Sequence, residues 1–241
     1  MHGRSLLPLA LVVLLAVGGC DSGSEEDRAE RSGTSTSRER PPAPDRALVE
    51  RLGRGGNVIL FRHAATDASA TDMTGDPRDC SRQRNLDARG RRQSREIGRA
   101  FRRLGIPVGP VLASPFCRTR DTARLAFGRV RASSSLLSAD FFPDQGAGAR
   151  QAGRLRRLLE ERPSRGTNTV LVSHAFAIDD ATGVSLAEGE AVVVAPGRGR
   201  RGFEVVGRVR AEQWPRLEAG GASASSDQEP RRTSRVAAHR P

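Results

Sequence analysis

Four side chains suited to phosphate chemistry follow apolar, strand-like runs of the sequence. Arg62 and His63 come after one run, Arg118 lies just past a second, and His174 follows a third. Guanidinium groups match the geometry of phosphate oxygens and remain charged at any working pH. A neutral imidazole can attack phosphorus, and a second imidazole can donate to an oxygen as charge develops there. The set therefore predicts a site that binds a phosphoryl group and can transfer it.

The elements that must position these side chains alternate between strand-like and helical patterns. Such alternation predicts an α/β fold, a three-layer α/β/α sandwich with a mainly parallel central sheet. Ligands of open sheets bind beyond the carboxyl ends of the strands, so the four side chains should meet at one edge. The predicted strands are 57–61, 110–114, 129–133, 168–173 and a hairpin of 190–196 with 202–210. The predicted helices are 85–104, 118–127, 149–161 and a short segment after 174.

Three motifs in this order resemble a known family. The sequence has RHA at 62–64, SPFCRTRDTA at 114–123 and SH at 173–174. Together they resemble the histidine phosphatase superfamily, with its phosphoglycerate-mutase-like fold, as a small member of the branch-1 type. The resemblance covers roughly residues 57–210 and implies that His63 is the phosphorylated nucleophile. It also implies that Arg62, Arg118 and His174 complete the phosphate pocket.

The sequence departs from the family pattern at three places. Ala64 and Ser173 stand where the family has glycine, and both are small enough to leave room for a ligand. No obvious glutamate is present to act as general acid. The family places that acid in the segment after the third strand, where this chain has Asp140 and Asp144. Either carboxyl could protonate a leaving group if burial raised its pKa, and either could equally be a loop residue or a helix cap.

Two further residues are candidates for substrate binding. Arg84, in the segment CSRQRNLDARG, could reach the pocket and bind a second charge on the substrate, as could Arg82. The alternative is that both belong to a basic surface loop. Thr119, next to Arg118, is a further candidate.

The N-terminal residues predict export and a lipid anchor. Residues 1–19 have a positive start, an apolar run and a small-residue close, which is the pattern of a signal peptide. The segment VGGC resembles the lipobox of bacterial lipoproteins, which implies lipidation of Cys20. An ordinary cleaved signal with a chance cysteine is the alternative. The domain prediction is then a signal peptide at 1–19, a lipidated flexible linker at 20–47, a phosphatase domain at 48–217 and a disordered tail at 218–241.

The cysteines and the charge restrict the class of protein. If Cys20 carries lipid, Cys80 and Cys117 remain as a pair in an oxidising compartment, where a disulfide is plausible but not fixed by the sequence. They lack the spacing of a zinc site, and we predict no metal and no cofactor. The net charge is +12, and all 40 basic residues are arginine, which suits a GC-rich genome. With only 4% aromatic residues, nucleic-acid binding is not expected.

These observations predict a metal-independent phosphomonoesterase, lipid-anchored outside the cytoplasm of a bacterial cell. Its partners would be a small phosphorylated substrate or envelope phosphate groups, and the membrane through the anchor. The substrate and the oligomeric state are not predicted. The first alternative is a lipoprotein that binds phosphate-bearing ligands without turnover. The second is a redox or metal protein that uses Cys80 and Cys117.

Overall fold

The computed structural model describes residues 46–72, 76–138, 141 and 145–217. The strands are β1 (Val58–Arg62), β2 (Val108–Ala113), β3 (Arg131–Ala132), β4 (Asn168–Ser173), β5 (Ala191–Pro196) and β6 (Phe203–Val209). The helices are α1 (Arg46–Arg54), α2 (Ala88–Arg103), α3 (Cys117–Phe127), α4 (Gln145–Glu160) and α5 (Ala175–Thr182). Short 3-10 turns lie at Cys80–Arg82, Ser134–Leu136 and Trp214–Arg216.

The six strands form one mixed sheet in the order β3-β2-β4-β1-β5-β6. The four strands β3, β2, β4 and β1 are parallel, whereas β5 runs antiparallel to β1 and β6 antiparallel to β5. The expectation of a mainly parallel sheet is therefore wrong. The reason is that a hydrophobic run specifies a buried strand but not its direction. Here the chain enters β5 at the edge where β1 ends, with Ala191 opposite Phe61.

The sheet is covered by helices on both faces, as the three-layer prediction requires. Alternate residues of β1 point to opposite faces, so Ile59 and Phe61 join one apolar core and Val58 and Leu60 join the other. The first core contains residues of α1, α2 and α3, and the second contains residues of α4 and α5. Both faces of the strand are thus sealed from water, which explains its uninterrupted apolar sequence.

The first residues of three helices differ from the predicted ones. Helix α2 begins at Ala88 because the Asp87 carboxylate accepts from the Gly90 N–H at 2.6 Å and so acts as N-cap. Asn85, the predicted cap, instead donates its side-chain amide to the Cys80 carbonyl. Helix α1 starts two residues before the predicted start of the domain. Helix α4 starts four residues earlier than predicted.

The membrane-related predictions fall largely outside the structure. The signal peptide, Cys20, most of the linker and the tail from residue 218 onward lie outside the described residues. Among the residues that are described, no helix has the length and apolar character needed to cross a bilayer.

Helices α2 and α3 approach each other closely at Gly98. A Cβ atom added to this residue would lie 2.1 Å from the Ala126 carbonyl oxygen, so the helix backbones would have to separate. Gly153, which is also within a helix, differs in this respect. The nearest atom to a Cβ there is Arg157 Nη1, at 3.9 Å, at the end of a flexible side chain.

We therefore expect Gly98→Ala to lower the free energy of unfolding by about 1–3 kcal/mol, the usual cost of overpacking. Gly153→Ala should be neutral or stabilising by up to about 1 kcal/mol, because alanine favours the helix. Thermal unfolding of the two variants measures the difference. Equal midpoints for the two variants would contradict the close packing of α2 on α3.

Candidate active site

The parallel strands bring the predicted residues to one edge of the sheet. Strand β1 ends at Arg62 beside the end of β4 at Ser173, and the His63 N–H donates to the Ser173 carbonyl at 3.0 Å. A cavity of about 650 Å³ opens at this edge. Its lining includes all four residues singled out by the sequence, together with Arg84.

A hydrogen bond to the backbone determines which nitrogen of the His63 ring carries the hydrogen. Its Nδ1 lies 2.9 Å from the Ala64 carbonyl oxygen. Because a carbonyl only accepts, Nδ1 carries the hydrogen and Nε2 keeps a free lone pair. Ala64 is itself fixed, since its N–H donates to Thr122 Oγ1 at 3.0 Å.

The electrostatic surroundings keep the His63 ring neutral. Burial, above all, lowers the pKa of its imidazole to about 3, and the positive charges of Arg118, Arg62 and Arg84 act in the same direction. The hydrogen bond to the Ala64 carbonyl opposes this shift without overcoming it. At neutral pH the side chain is therefore an uncharged imidazole, the form that can act as a nucleophile.

His174 lies beside His63, with 5.8 Å between the ring centroids. Its Nδ1 is 3.4 Å from Arg118 Nη2, and its Nε2 is 2.8 Å from Ser114 Oγ. A guanidinium only donates, so Nδ1 accepts and Nε2 donates to the serine. Burial, followed by the charge of Arg118, holds the pKa of His174 well below its usual value. To donate to a phosphoryl oxygen, Nε2 must first give up its hydrogen bond to Ser114 Oγ.

Besides His174, two groups orient Arg118. Its guanidinium lies over the Phe116 ring at 4.7 Å, and its Nη1 donates to Asp72 Oδ1 at 2.9 Å. The same Asp72 oxygen accepts from the Arg84 N–H at 2.9 Å. Sequence reasoning missed Asp72, because it lies in a loop with no motif and its role depends wholly on the tertiary position of that loop.

Arg62 is held by the segment that precedes β5. Its Nη1 donates to the Leu186 carbonyl at 2.9 Å, and its Nη2 lies 3.9 Å from Glu188 Oε1. Burial lowers the pKa of Arg62, and the charge of Glu188 opposes that shift. Glu188 was also missed by sequence analysis, since only the antiparallel entry of β5 brings it to this edge.

Three buried donors of the cavity have no hydrogen-bond partner among the described residues. They are Arg62 Nε, Arg84 Nε and Ser138 Oγ. Each of the three residues lines the cavity. A buried donor without a partner is costly, and an anion in the cavity could accept from all three. Arg84 is thus at the pocket as proposed, whereas the role of Ser138 had no sequence signal.

Cys80 and Cys117 form a disulfide, with their Cα atoms 5.6 Å apart. Cys117 is the first residue of α3 and precedes Arg118, so the bond ties the loop that carries Arg84 to the start of this helix. Thr119 does not line the cavity. Its buried hydroxyl lies within hydrogen-bond distance of the Ser114 and Phe116 carbonyl oxygens, at 2.8 and 2.7 Å.

The candidates for general acid, Asp140 and Asp144, lie outside the described residues. Within the described residues that line the cavity, Asp72 is the one carboxylate. No group of three or more His, Cys, Asp or Glu side chains that could hold a metal occurs in the described part of the chain.

Comparison with known proteins gives a family match over part of the chain. Residues 58–141 match the model of the histidine phosphatase superfamily, branch 1. The match covers about a third of the chain. It contains Arg62, His63 and Arg118, whereas His174 lies beyond its end. Among curated proteins, no significant sequence match is found.

Solved structures that match part of this chain include three described as phosphatases. A candidate alpha-ribazole-5'-P phosphatase from Escherichia coli is 16% identical, covering 63% of this chain and 96% of that one, with a TM-score of 0.48. A phosphoserine phosphatase mutant from Entamoeba histolytica in complex with phosphoserine is 14% identical, covering 65% and 98%, with a TM-score of 0.44. The protein histidine phosphatase SixA complexed with tungstate is 14% identical, covering 64% and 97%, with a TM-score of 0.45.

The burial of neutral His63 predicts a pH-dependent stability. The unfolded chain binds a proton on His63 near pH 6.5, whereas the folded protein does so only near its pKa of about 3. Between these values the free energy of unfolding should fall with falling pH by at most about 1.4 kcal/mol per unit from this residue. His63→Gln removes this contribution. Urea unfolding between pH 6.5 and 4.5 should therefore show a shallower slope for the variant.

Measurements between pH 7.5 and 8.5 serve as the control for this comparison. His63 is neutral there in both the folded and the unfolded state, so wild type and variant should show parallel behaviour. Parallel slopes in the acid range as well would show that His63 titrates normally in the folded protein.

Proposed function

We propose that this protein is a phosphomonoesterase that hydrolyses its substrate through a phosphohistidine formed on His63. The observation that carries the proposal is the fixed neutral imidazole, whose Nδ1 lies 2.9 Å from the Ala64 carbonyl and whose Nε2 is left with its lone pair. Three arginines that line the same cavity supply the positive charge to hold a phosphoryl group.

The reaction follows from this arrangement in two displacements. Nε2 of His63 attacks phosphorus, an N–P bond forms, and the bond from phosphorus to the leaving oxygen breaks. The departing alkoxide takes a proton from an acid. Water then gives a proton to the conjugate base of that acid and attacks the phosphohistidine, the N–P bond breaks, and its electron pair returns to Nε2. Arg62, Arg118 and His174 stabilise the charge on the phosphoryl oxygens in both steps.

Asp72 gives the resting site an anion of its own. Its carboxylate accepts a hydrogen bond from Arg118 Nη1 at 2.9 Å, so an incoming phosphoryl group competes with it for that guanidinium. Once displaced, the carboxylate lies beside the reacting group and is a third candidate for the general acid, with Asp140 and Asp144. We propose that one of these three carboxyl groups protonates the leaving oxygen.

The location belongs to the same proposal. The signal-like residues 1–19 and the lipobox-like VGGC support an exported protein anchored to the bacterial membrane through Cys20. The disulfide between Cys80 and Cys117 fits an oxidising compartment. The substrate would then be a phosphate ester found outside the cytoplasm.

A non-catalytic phosphate-binding lipoprotein is the alternative. It is favoured by one observation, namely that the one described carboxylate of the cavity is paired with Arg118, so it is engaged in binding a guanidinium. Such a protein would use the unpartnered donors of the cavity to bind an anion without transferring it.

Hydrolysis of 4-nitrophenyl phosphate by the chain without residues 1–20 tests the proposal. An aryl leaving group needs little protonation, so this substrate tests the nucleophile even if the acid is weak. We expect release of phosphate by the wild type and a loss of at least about 10³-fold in His63→Ala, because the attacking atom is removed.

Binding of inorganic phosphate, measured by calorimetry, is the control for this experiment. His63→Ala should still bind phosphate, since the arginines remain. Phosphate binding by a wild type that releases no phosphate from the ester would favour the binding protein. Turnover that survives in His63→Ala would contradict the proposed mechanism.

A further inference from the structure

The cavity has a large apolar side chain at its rim that the phosphate chemistry does not use. Phe176, the second residue of α5, is 65% exposed and lines the cavity two residues after His174. It is one of two large apolar residues that are exposed in the described part of the chain, the other being Val205. An exposed aromatic ring at the mouth of a binding site is a candidate contact for a ligand.

A second phenylalanine, Phe141, also lines the cavity and contacts two further rings. Phe141 stacks on Phe116 with 4.2 Å between ring centroids and meets the His174 ring edge-on at 5.6 Å. Phe141 and Phe176 line the cavity together with Ala70 and Ala175. The cavity thus combines apolar lining residues with the cationic residues Arg62, Arg84 and Arg118.

The size of the cavity shows that a phosphate group alone does not fill it. Its volume is about 650 Å³. Pockets for whole small molecules occupy roughly 300–1,000 Å³. Space therefore remains for the organic part of a phosphate ester, and Phe141 and Phe176 supply apolar contacts for it.

We propose that this site prefers phosphate monoesters whose organic part carries a flat aromatic ring, and that Phe176 contacts that ring. This inference rests on the proposed function of the cavity. Apart from the phosphate-binding groups, the lining has two phenylalanines and two alanines beside the polar residues Thr71, Asp72 and Ser138, so four of these seven residues are apolar. A flat ring would stack on Phe176 or meet Phe141 at its edge.

Binding of phosphonates by the full-length protein tests the preference without any turnover. Phenylphosphonate and methylphosphonate present the same anionic group and cannot be hydrolysed, so the leaving-group chemistry does not enter. We expect phenylphosphonate to bind wild type at least about 10-fold more tightly. Phe176→Ala should reduce this ratio by roughly 3- to 10-fold, the usual contribution of an aromatic pair, and should leave the affinity for methylphosphonate unchanged.

Two controls separate the ring contact from general apolar effects. Val205→Ala removes an exposed apolar side chain that does not line the cavity, and it should leave both affinities unchanged. Cyclohexylphosphonate, which is apolar but not flat, should bind wild type more weakly than phenylphosphonate.

The outcomes distinguish this inference from the proposed function. Equal affinity of wild type for the phenyl and methyl ligands, or an unchanged ratio in Phe176→Ala, would overturn the inference even if the protein hydrolyses phosphate esters. Equal binding of the cyclohexyl and phenyl ligands would overturn the preference for a flat ring. A ratio that falls in Phe176→Ala would support the inference even if no ester is hydrolysed, and only the proposed function would then fail.

Discussion

The chemistry of this site depends on one hydrogen bond, from His63 Nδ1 to the Ala64 carbonyl at 2.9 Å. It fixes the tautomer and the direction of the ring, so the lone pair of Nε2 is available without a prior proton transfer. His63 and Ala64 directly follow β1, and Thr122 of α3 accepts a hydrogen bond from the Ala64 N–H. A strand end, a helix and one carbonyl thus hold the imidazole in the neutral form that the proposed mechanism requires.

The same site concentrates positive charge around two neutral imidazoles. Arg62, Arg84 and Arg118 each lower the pKa of both histidines, and burial lowers it further. Such a charge distribution is unfavourable in the resting protein unless anions are near, and Asp72 and Glu188 are placed against two of the guanidiniums. A bound phosphoryl group would add the negative charge that the site lacks. The charges of the site are therefore better balanced when an anion occupies the cavity than when the cavity is empty.

The sequence predicted those parts of the site that lie directly at strand ends. Arg62, His63 and His174 could be placed because an apolar run followed by a charged residue marks the end of a buried strand. The direction of β5 could not be read, since antiparallel and parallel buried strands have the same pattern. Glu188 and Leu186 were missed for that reason. Arg84 and the disulfide could be named only as candidates, and Asp72 was missed, because their positions depend on how a long loop folds back on α3, which no local pattern encodes. Asp87 is the N-cap of α2, whereas the side-chain amide of Asn85 is bonded to the Cys80 carbonyl.

Rapid quenching of the protein during turnover of an aryl phosphate, followed by mass spectrometry of its peptides, tests whether His63 carries the phosphoryl group. We expect a phosphoryl group on His63 that forms and decays at least as fast as phosphate is released. Steady release of phosphate with no phosphoryl group on His63, or with one on His174 instead, would contradict it.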